Sequence, residues 1–392
     1  MKIALVALYD LFSHGIRGLH SFLDEKGYDV SSYYFYNSTY TDTMYAENEM
    51  AVLADNILKL KPDYVGISVR SPLFPVFKDL AKRLRPHVKI ITGGPHSTAC
   101  PEDCLRYADY AVVGDGEHAI LDILNGCSEG VVKGERFLEI DELPFSHYGD
   151  NTFVFCRSNL VNVHNKQSIY STRGCHFACC SYCQESIMGN KPIRKSVARL
   201  KRETDYLLKK FPQTEIYTFA DPIFMYDMDW LEEFASVYSG SGLKFLCNAC
   251  ASFITEDMVK AVKKAGMYMV RIGVQSGCQT LRREIYNRKD SLDDVIRVSK
   301  LLEEHEILGH YDFIIESPYD TPETIAKTRR FIMQLPRSAW INKFEMRYWP
   351  NTPFTNRAIE DGYITPGEVE GNFFRFGDWT YTYHNMLYSG AK

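Results

Sequence analysis

Arg173–Cys183 reads RGCHFACCSYC, and the rest of the chain is best read outward from it. Four cysteines fall within nine residues, at 175, 179, 180 and 183. Thiolates grouped on so short a loop suit iron, because polarisable sulfur matches the metal and a short loop can wrap one face of an iron–sulfur cube. Three such ligands leave one iron open to a small molecule. Structural zinc is the competing reading, and it usually wants two cysteine pairs. Cys247 and Cys250 form a second C-x2-C pair, but Cys247 is expected on a strand near its end, two strands away, where tetrahedral closure with the loop is forced. Cys100, Cys104, Cys127, Cys156, Cys247, Cys250 and Cys278 are read as buried core thiols.

The loop directly follows a strand expected at Ser168–Thr172. Downstream the pattern alternates. Strands are expected at Glu215–Ala220, Lys244–Asn248, Tyr268–Val274, His310–Ile315 and Ile341–Met346. Helices are expected at Val197–Lys210, Met228–Tyr238, Glu256–Ala265, Leu292–Glu304 and Pro322–Gln334. Six strand–helix units are two short of a closed eight-stranded barrel, so residues 166–350 read as a partial (β/α)6 barrel of TIM type. Residues 351–392 form an aromatic-rich, irregular extension.

Upstream, strands are expected at Lys2–Ala7, Val30–Tyr36, Tyr64–Ser68, Val88–Thr92 and Tyr110–Val113, with helices at Gly15–Glu25, Met50–Leu60, Val76–Leu84 and Glu117–Asn125. Short apolar strands alternating with helices predict an α/β, Rossmann-like domain over residues 1–138, with a parallel sheet covered on both faces. Ligands of such sheets bind beyond the strand C-termini. Gly93-Gly94-Pro95-His96 and Gly114-Asp115-Gly116-Glu117 both sit there. Either alone is a tight turn; together they mark a ligand edge. Residues 139–150 lose the periodicity, and 139–165 is expected to link the domains.

Bulk composition agrees. The chain has 392 residues, 45% hydrophobic and 24% charged, which suits two soluble globular domains. The net charge is −5 and no basic stripe stands out, so no nucleic-acid partner is expected. No apolar run is long enough for a bilayer. The start, MKIALVALYD, reads as a first strand and not as a signal peptide. Eleven cysteines without a secreted disulfide spacing point to metal or redox chemistry in the cytoplasm.

The loop resembles the radical S-adenosylmethionine (SAM) signature, RGC-x-F-x-C-x-(F/Y)-C. In that superfamily three cysteines hold a [4Fe–4S] cluster whose fourth iron chelates SAM. Electron transfer then cleaves SAM to methionine and a 5′-deoxyadenosyl radical, which abstracts a substrate hydrogen. This chain departs from the signature by one extra residue. Cys175, Cys179 and Cys183 give C-x3-C-x3-C, whereas Cys175, Cys180 and Cys183 give C-x4-C-x2-C. The first set is preferred, since a radical SAM group that dehydrates aminoglycoside diols resembles it in that spacing.

The order GGPH, GDGE, an acidic-LPF linker and RGC resembles the cobalamin-binding-domain class of that superfamily over most of the chain. TFADPIF (Thr218–Phe224), AGMYMVRIGVQSG (Ala265–Gly277) and DFIIESPYDT (Asp312–Thr321) resemble its later elements, with Pro222 in place of an Asp and Glu316 where Gly is common. The resemblance implies a cobalamin-type edge at Ser68, Gly93, Gly94, Gly114 and Gly116. It implies SAM contacts from Tyr182, near the adenine, and from Asp221, Asn248, Arg271, Gln275, Ser276 and Glu316. For Arg271 an outer salt bridge is the alternative, and for Ser276-Gly277 a plain helix cap. His176 and His310 receive no role. Tyr33–Tyr45 reads either as an aromatic wall over a corrin or as a packed edge.

No D-x-H-x-x-G occurs in the first domain, so no lower-ligand histidine is identified, and relatives of the class bind cobalamin without one. The leading functional expectation is cobalamin-dependent C-methylation of a small molecule. The alternatives are a cobalamin-independent radical dehydratase, lyase or oxidoreductase, such as one acting on an aminoglycoside diol, and a non-catalytic corrinoid sensor. A low-potential donor of flavodoxin or ferredoxin type is implied, with no membrane partner.

Overall fold

The computed structural model describes residues 1–35, 47–156, 159–160, 166–189 and 191–371. Two compact units emerge, one built on residues 1–163 and one on residues 164–348.

The first unit runs β1 (Lys2–Ala7), α1 (His14–Glu25), β2 (Asp29–Phe35), α2 (Glu47–Lys59), β3 (Tyr64–Ser68), α3 (Phe74–Leu84), β4 (Lys89–Gly93), α4 (Pro95–Ala99), α5 (Pro101–Leu105), β5 (Tyr110–Gly114), α6 (Gly116–Leu124), β6 (Gly130–Gly134), β7 (Thr152–Cys156) and β8 (Asn159–Leu160). The sheet order is β6-β5-β4-β3-β1-β2-β7-β8, and every pair except β7–β8 is parallel. Burial on both faces explains the unbroken apolar run of β1. Ala4 and Val6 enter the core with α2 and α3, while Ile3, Leu5 and Ala7 enter the opposite one with α1 and α6.

Three strands of this unit escape the sequence reading, among them the two-residue β8, which pairs antiparallel with β7. β6 is a half-exposed edge strand between glycines and carries little apolar signal. β7 lies within the stretch expected to link the domains, yet it pairs with β2 from Ser32↔Thr152 to Phe35↔Phe155. The pairing rests on aromatic stacking: Tyr33 on Phe153 at 5.1 Å and Phe35 on Phe155 at 5.4 Å. Tyr33 and Tyr34 are therefore packed in the interior; residues 36–45 of that tyrosine-rich stretch lie outside the described residues.

The second unit holds β9 (Lys166–Ile169), β10 (Thr172–Arg173), α7 (Glu185–Met188), β11 (Ile193–Arg194), α8 (Val197–Lys210), β12 (Ile216–Phe219), α9 (Met228–Tyr238), β13 (Phe245–Ala249), α10 (Glu256–Lys264), β14 (Met267–Gln275), α11 (Gln279–Glu284), α12 (Leu292–Glu304), β15 (Leu308–Ile315), α13 (Pro322–Ile332), β16 (Trp340–Glu345) and α14 (Pro353–Glu360). Six strands order as β16-β15-β14-β13-β12-β9, all parallel, as a partial barrel requires. Side-chain oxygens of Ser196, Asp227, Thr255, Ser291 and Thr321 cap α8, α9, α10, α12 and α13, each supplying about 1 kcal/mol. The stretch expected to be irregular from 351 contains α14 and α15 (Pro366–Gly371), both started by proline; α15 packs with the first unit. No described helix is long and apolar enough to cross a membrane.

Candidate active site at the strand ends

The strand expected at Ser168–Thr172 breaks in two. β9 ends at Ile169, and Thr172–Arg173 turns away to pair antiparallel with Ile193–Arg194. That two-residue ladder clamps both ends of the cysteine loop. Asp221, fully buried, fixes its start: Oδ1 accepts from Ser171 N at 2.8 Å, from Ser171 Oγ at 3.0 Å and from Thr172 N. Burial raises the Asp221 pKa, against the pull of Arg194 and these donors.

Within the loop Cys175, Cys179, Cys180 and Cys183 are all free and half-buried. Burial pushes the Cys183 thiol up to about 12, and Cys180 and Cys175 add to the rise. Cys180 is also pushed up by burial, with Arg288 pulling it down. Cys180 thus feels both Cys179 and Cys175, and Cys183 feels Cys180 and Cys175. Cys179 is also tied to Asn287: its Sγ lies 3.8 Å from the Asn287 carbonyl, and its own carbonyl accepts from Asn287 Nδ2 at 2.8 Å. Four free thiols on one short loop, two of them raised by burial and by neighbouring thiols, are a donor set that a cationic iron cluster relieves, so the loop fits such a group.

The other SAM-type positions divide into two kinds. Several are bound into the fold. Asn248 Nδ2 donates to the Asp221 carbonyl at 2.8 Å. Ser276 Oγ contacts Thr328 Oγ1 at 3.2 Å, and a Cβ on Gly277 would come within 2.6 Å of Thr328 Cα, so this Ser-Gly pair seats α13. Tyr182 packs edge-on against Tyr286 at 5.3 Å, and its hydroxyl accepts from Arg288 at 3.3 Å. Gln275 and Glu316 behave differently. They end the adjacent strands β14 and β15 in left-handed backbone, at φ 70° and 58°. Non-glycine residues held so cluster where ligands are clamped.

Two charged networks involve these positions or their neighbours. Asp290 receives Arg282 at 2.6 Å and Arg288 at 2.8 Å, all three buried. Burial alone would raise the Asp290 carboxyl, but the two guanidinium groups hold it below its usual range. The segment Asn287–Asp290 was silent in the sequence; the one available signal was the three charges Arg288, Lys289 and Asp290 just ahead of the Ser291 cap. On the inner strand faces, Asp312 receives Asn342 Nδ2 at 3.1 Å and lies 3.4 Å from His310 Nε2 and 3.8 Å from Arg271 Nε. Arg271 therefore makes an ion pair within the sheet, while its side chain stays 42% exposed. Burial pushes Asp312 up to about 6 and His310 down to about 4.

In the first unit Ser68, Gly93, Gly94, Gly114 and Gly116 lie half-buried at or just past the ends of β3, β4 and β5. A Cβ on Gly93 would meet nothing within 4 Å. Gly94 adopts φ 89° and sits where a Cβ would come 3.0 Å from Ser68 Oγ. Open space over one glycine and close backbone packing under the next fit an edge that receives a bulky ligand.

A parallel sheet with this edge, ahead of a partial barrel with a cysteine-rich loop, is the combination found in radical SAM proteins that carry a cobalamin-type domain. The B12 binding domain family matches residues 2–124, and the radical SAM superfamily matches residues 169–332, so the chain carries a B12 binding domain followed by a radical SAM domain. It is 26% identical over 314 residues to an uncharacterized methyltransferase of Pyrococcus horikoshii, covering 72% of this chain and 66% of that protein. It is 23% identical over 342 residues to the anaerobic magnesium-protoporphyrin IX monomethyl ester cyclase of Cereibacter sphaeroides, covering 79% and 54%. The chain thus spans 66% and 54% of the length of these two curated relatives. The structure of TsrM, a radical S-adenosylmethionine methyltransferase from Kitasatospora setae with cobalamin and a [4Fe–4S] cluster bound, matches with a TM-score of 0.72 at 15% identity, over 92% of this chain and 78% of that one. At that identity the likeness is one of fold.

Proposed function

We propose that this chain is a cobalamin-dependent radical SAM enzyme that methylates a carbon of a small molecule in the cytoplasm, served by a low-potential donor of flavodoxin or ferredoxin type. The carrying observation is the clamped four-cysteine loop at the end of a six-stranded parallel sheet, in a chain that also carries a B12 binding domain. In this reading residues 1–138 hold the corrinoid, 166–350 hold the cluster and SAM, and 351–392 extend them. When bound, the cluster and SAM generate a substrate carbon radical and the corrinoid carries the methyl group.

The chain's own residues do the positioning. Cys175, Cys180 and Cys183 hold iron; the turning of Cys179 toward Asn287 supports this set over C-x3-C-x3-C. That choice also weakens the tie to diol dehydration, which rested on the spacing. Arg288 sets a fixed cation beside the thiolates. Asp221 acts through Ser171 and Thr172, holding the loop's entrance. Gln275, Glu316 and the half-exposed Arg271 meet SAM or substrate.

Anaerobic reconstitution tests the reading. The expected protein binds about four irons, retains corrinoid in its visible spectrum, and moves label from methyl-labelled SAM to a carbon product. Cys179→Ser keeps the iron, whereas Cys180→Ser loses it; the reverse result restores C-x3-C-x3-C. Deoxyadenosine formed without retained corrinoid would overturn the cobalamin assignment.

A further inference from the structure

Three ligand-type side chains meet in the first unit with no part in the chemistry above. A ring nitrogen of His96, Cys100 Sγ and an Asp103 carboxylate oxygen all lie within 4.8 Å of one another. They come from one short stretch, H-x3-C-x2-D, folded across the junction of α4 and α5. His96 is only 3% exposed, and its Nε2 has no hydrogen-bond partner. A buried imidazole nitrogen without a partner is costly unless something else satisfies it. Its other nitrogen, Nδ1, lies 3.0 Å from Ser71 Oγ. If Nδ1 carries the proton and donates it there, Nε2 is left with its lone pair free for a metal. That is the tautomer a metal-binding histidine needs, set by a partner outside the ligand shell.

The sulfur is prepared too. Asn351 Nδ2 donates to the Ala99 carbonyl at 2.7 Å and approaches Cys100 Sγ at 3.4 Å. The carbonyl contact fixes which end of the amide faces the sulfur, so a donor points at it, as a thiolate would favour. We infer that His96, Cys100 and Asp103 form a metal site for a zinc-class divalent ion, with a fourth position left for water or a small ligand. The donor set of one nitrogen, one sulfur and one carboxylate oxygen is of the borderline-soft kind zinc takes. Zinc bond lengths put neighbouring ligand atoms roughly 3.5 Å apart, so closing the present spacing needs about 1 Å of movement. A corrin ring could not reach an Nε2 enclosed this way. The ion would staple α4, α5 and, through Ser71 and Asn351, the segment after β3 and the stretch before α14. Gly93 and Gly94 lie just ahead of the first ligand, so the staple would fix that turn. The inference does not depend on the corrinoid reading.

The test uses the full chain with Cys175, Cys179, Cys180 and Cys183 all changed to Ser, stripped of metal and titrated with Co2+. The expected result is about one cobalt per chain with a thiolate-to-metal charge-transfer band, displaced by zinc. Cys100→Ser abolishes the band, His96→Gln and Asp103→Asn weaken binding, and Ser71→Ala weakens it about 10- to 100-fold. Far-UV circular dichroism of each metal-free variant checks the fold. As a second measurement, the wild-type chain with its cluster reconstituted should retain about one zinc beside its iron, and Cys100→Ser should lose it. No band in the four-serine protein together with no zinc in the wild type overturns the site, as does a band that survives Cys100→Ser.

Discussion

Asp312 and His310, 3.4 Å apart, pull the stability of the second unit in opposite directions. Asp312 rises on folding from 3.8 to about 6, so between those values the folded chain holds a proton the unfolded one has lost. Stability from this group therefore falls as pH rises through that window. His310 drops from 6.5 to about 4, so there the unfolded chain holds the extra proton and stability rises with pH. Each shift is worth about 3 kcal/mol in full, and the two nearly cancel below pH 6. Single substitutions should expose them. Asp312→Asn should make stability climb by about 3 kcal/mol from about pH 4 to pH 6.5, and His310→Gln should make it fall by a similar amount from about pH 4 to pH 6. Urea unfolding of the metal-free proteins at intervals across this range reads both. Equal slopes in wild type and both variants would show that the pair is not buried as described.

Elements explain both what was legible in the sequence and what was not. α8, α9 and α12 have the same bounds in the sequence reading and in the structure, because Ser196, Asp227 and Ser291 announce each start. The barrel strands were legible as apolar runs, and the proposed iron-binding loop as a cysteine cluster. β7 was hidden because its partner β2 is distant in sequence and only pairing reveals it. The ion pairs of Arg271 with Asp312 and of Arg282 and Arg288 with Asp290 were hidden for a related reason: which charges meet depends on strand register and loop path, not on spacing. Cys100 was read as a core thiol and is indeed buried, but composition could not place His96 beside it. Cys127 is only half-buried, outside that core reading, and the Cys156 side chain lies outside the described residues. The strand ends carry a prediction of their own. Glu316 closes β15 at φ 58° with its side chain exposed. Such backbone costs of order 1–3 kcal/mol, more than the entropy a glycine adds to the unfolded chain. Glu316→Gly should raise stability by about 1 kcal/mol in denaturant unfolding. A loss of stability would mean that the Glu316 side chain, not the backbone, is what the fold uses.

Over the whole molecule, the corrinoid reading becomes a statement about which part of the chain a ligand protects. A ligand that binds only the folded form adds RT ln(1 + [L]/Kd), about 2.7 kcal/mol at 100 times Kd, which slows exchange of globally protected amides by about 100-fold. Hydroxocobalamin should therefore slow amide exchange in β1, β3 and β4. Gly93 and Gly94 separate binding from folding, because they are neighbours with opposite surroundings. A side chain at Gly93 meets open space, so Gly93→Trp should fold with nearly wild-type stability while filling the ligand edge. At Gly94 the left-handed backbone and the nearby Ser68 Oγ make even Gly94→Ala destabilising before any ligand is added. The expected pattern is a lost cobalamin effect with intact stability for the first variant, and lower stability from the start for the second. If Gly93→Trp keeps the full protection, the corrinoid binds away from this sheet edge. If the wild-type chain gains no protection at all, the methyl carrier must be sought outside this chain.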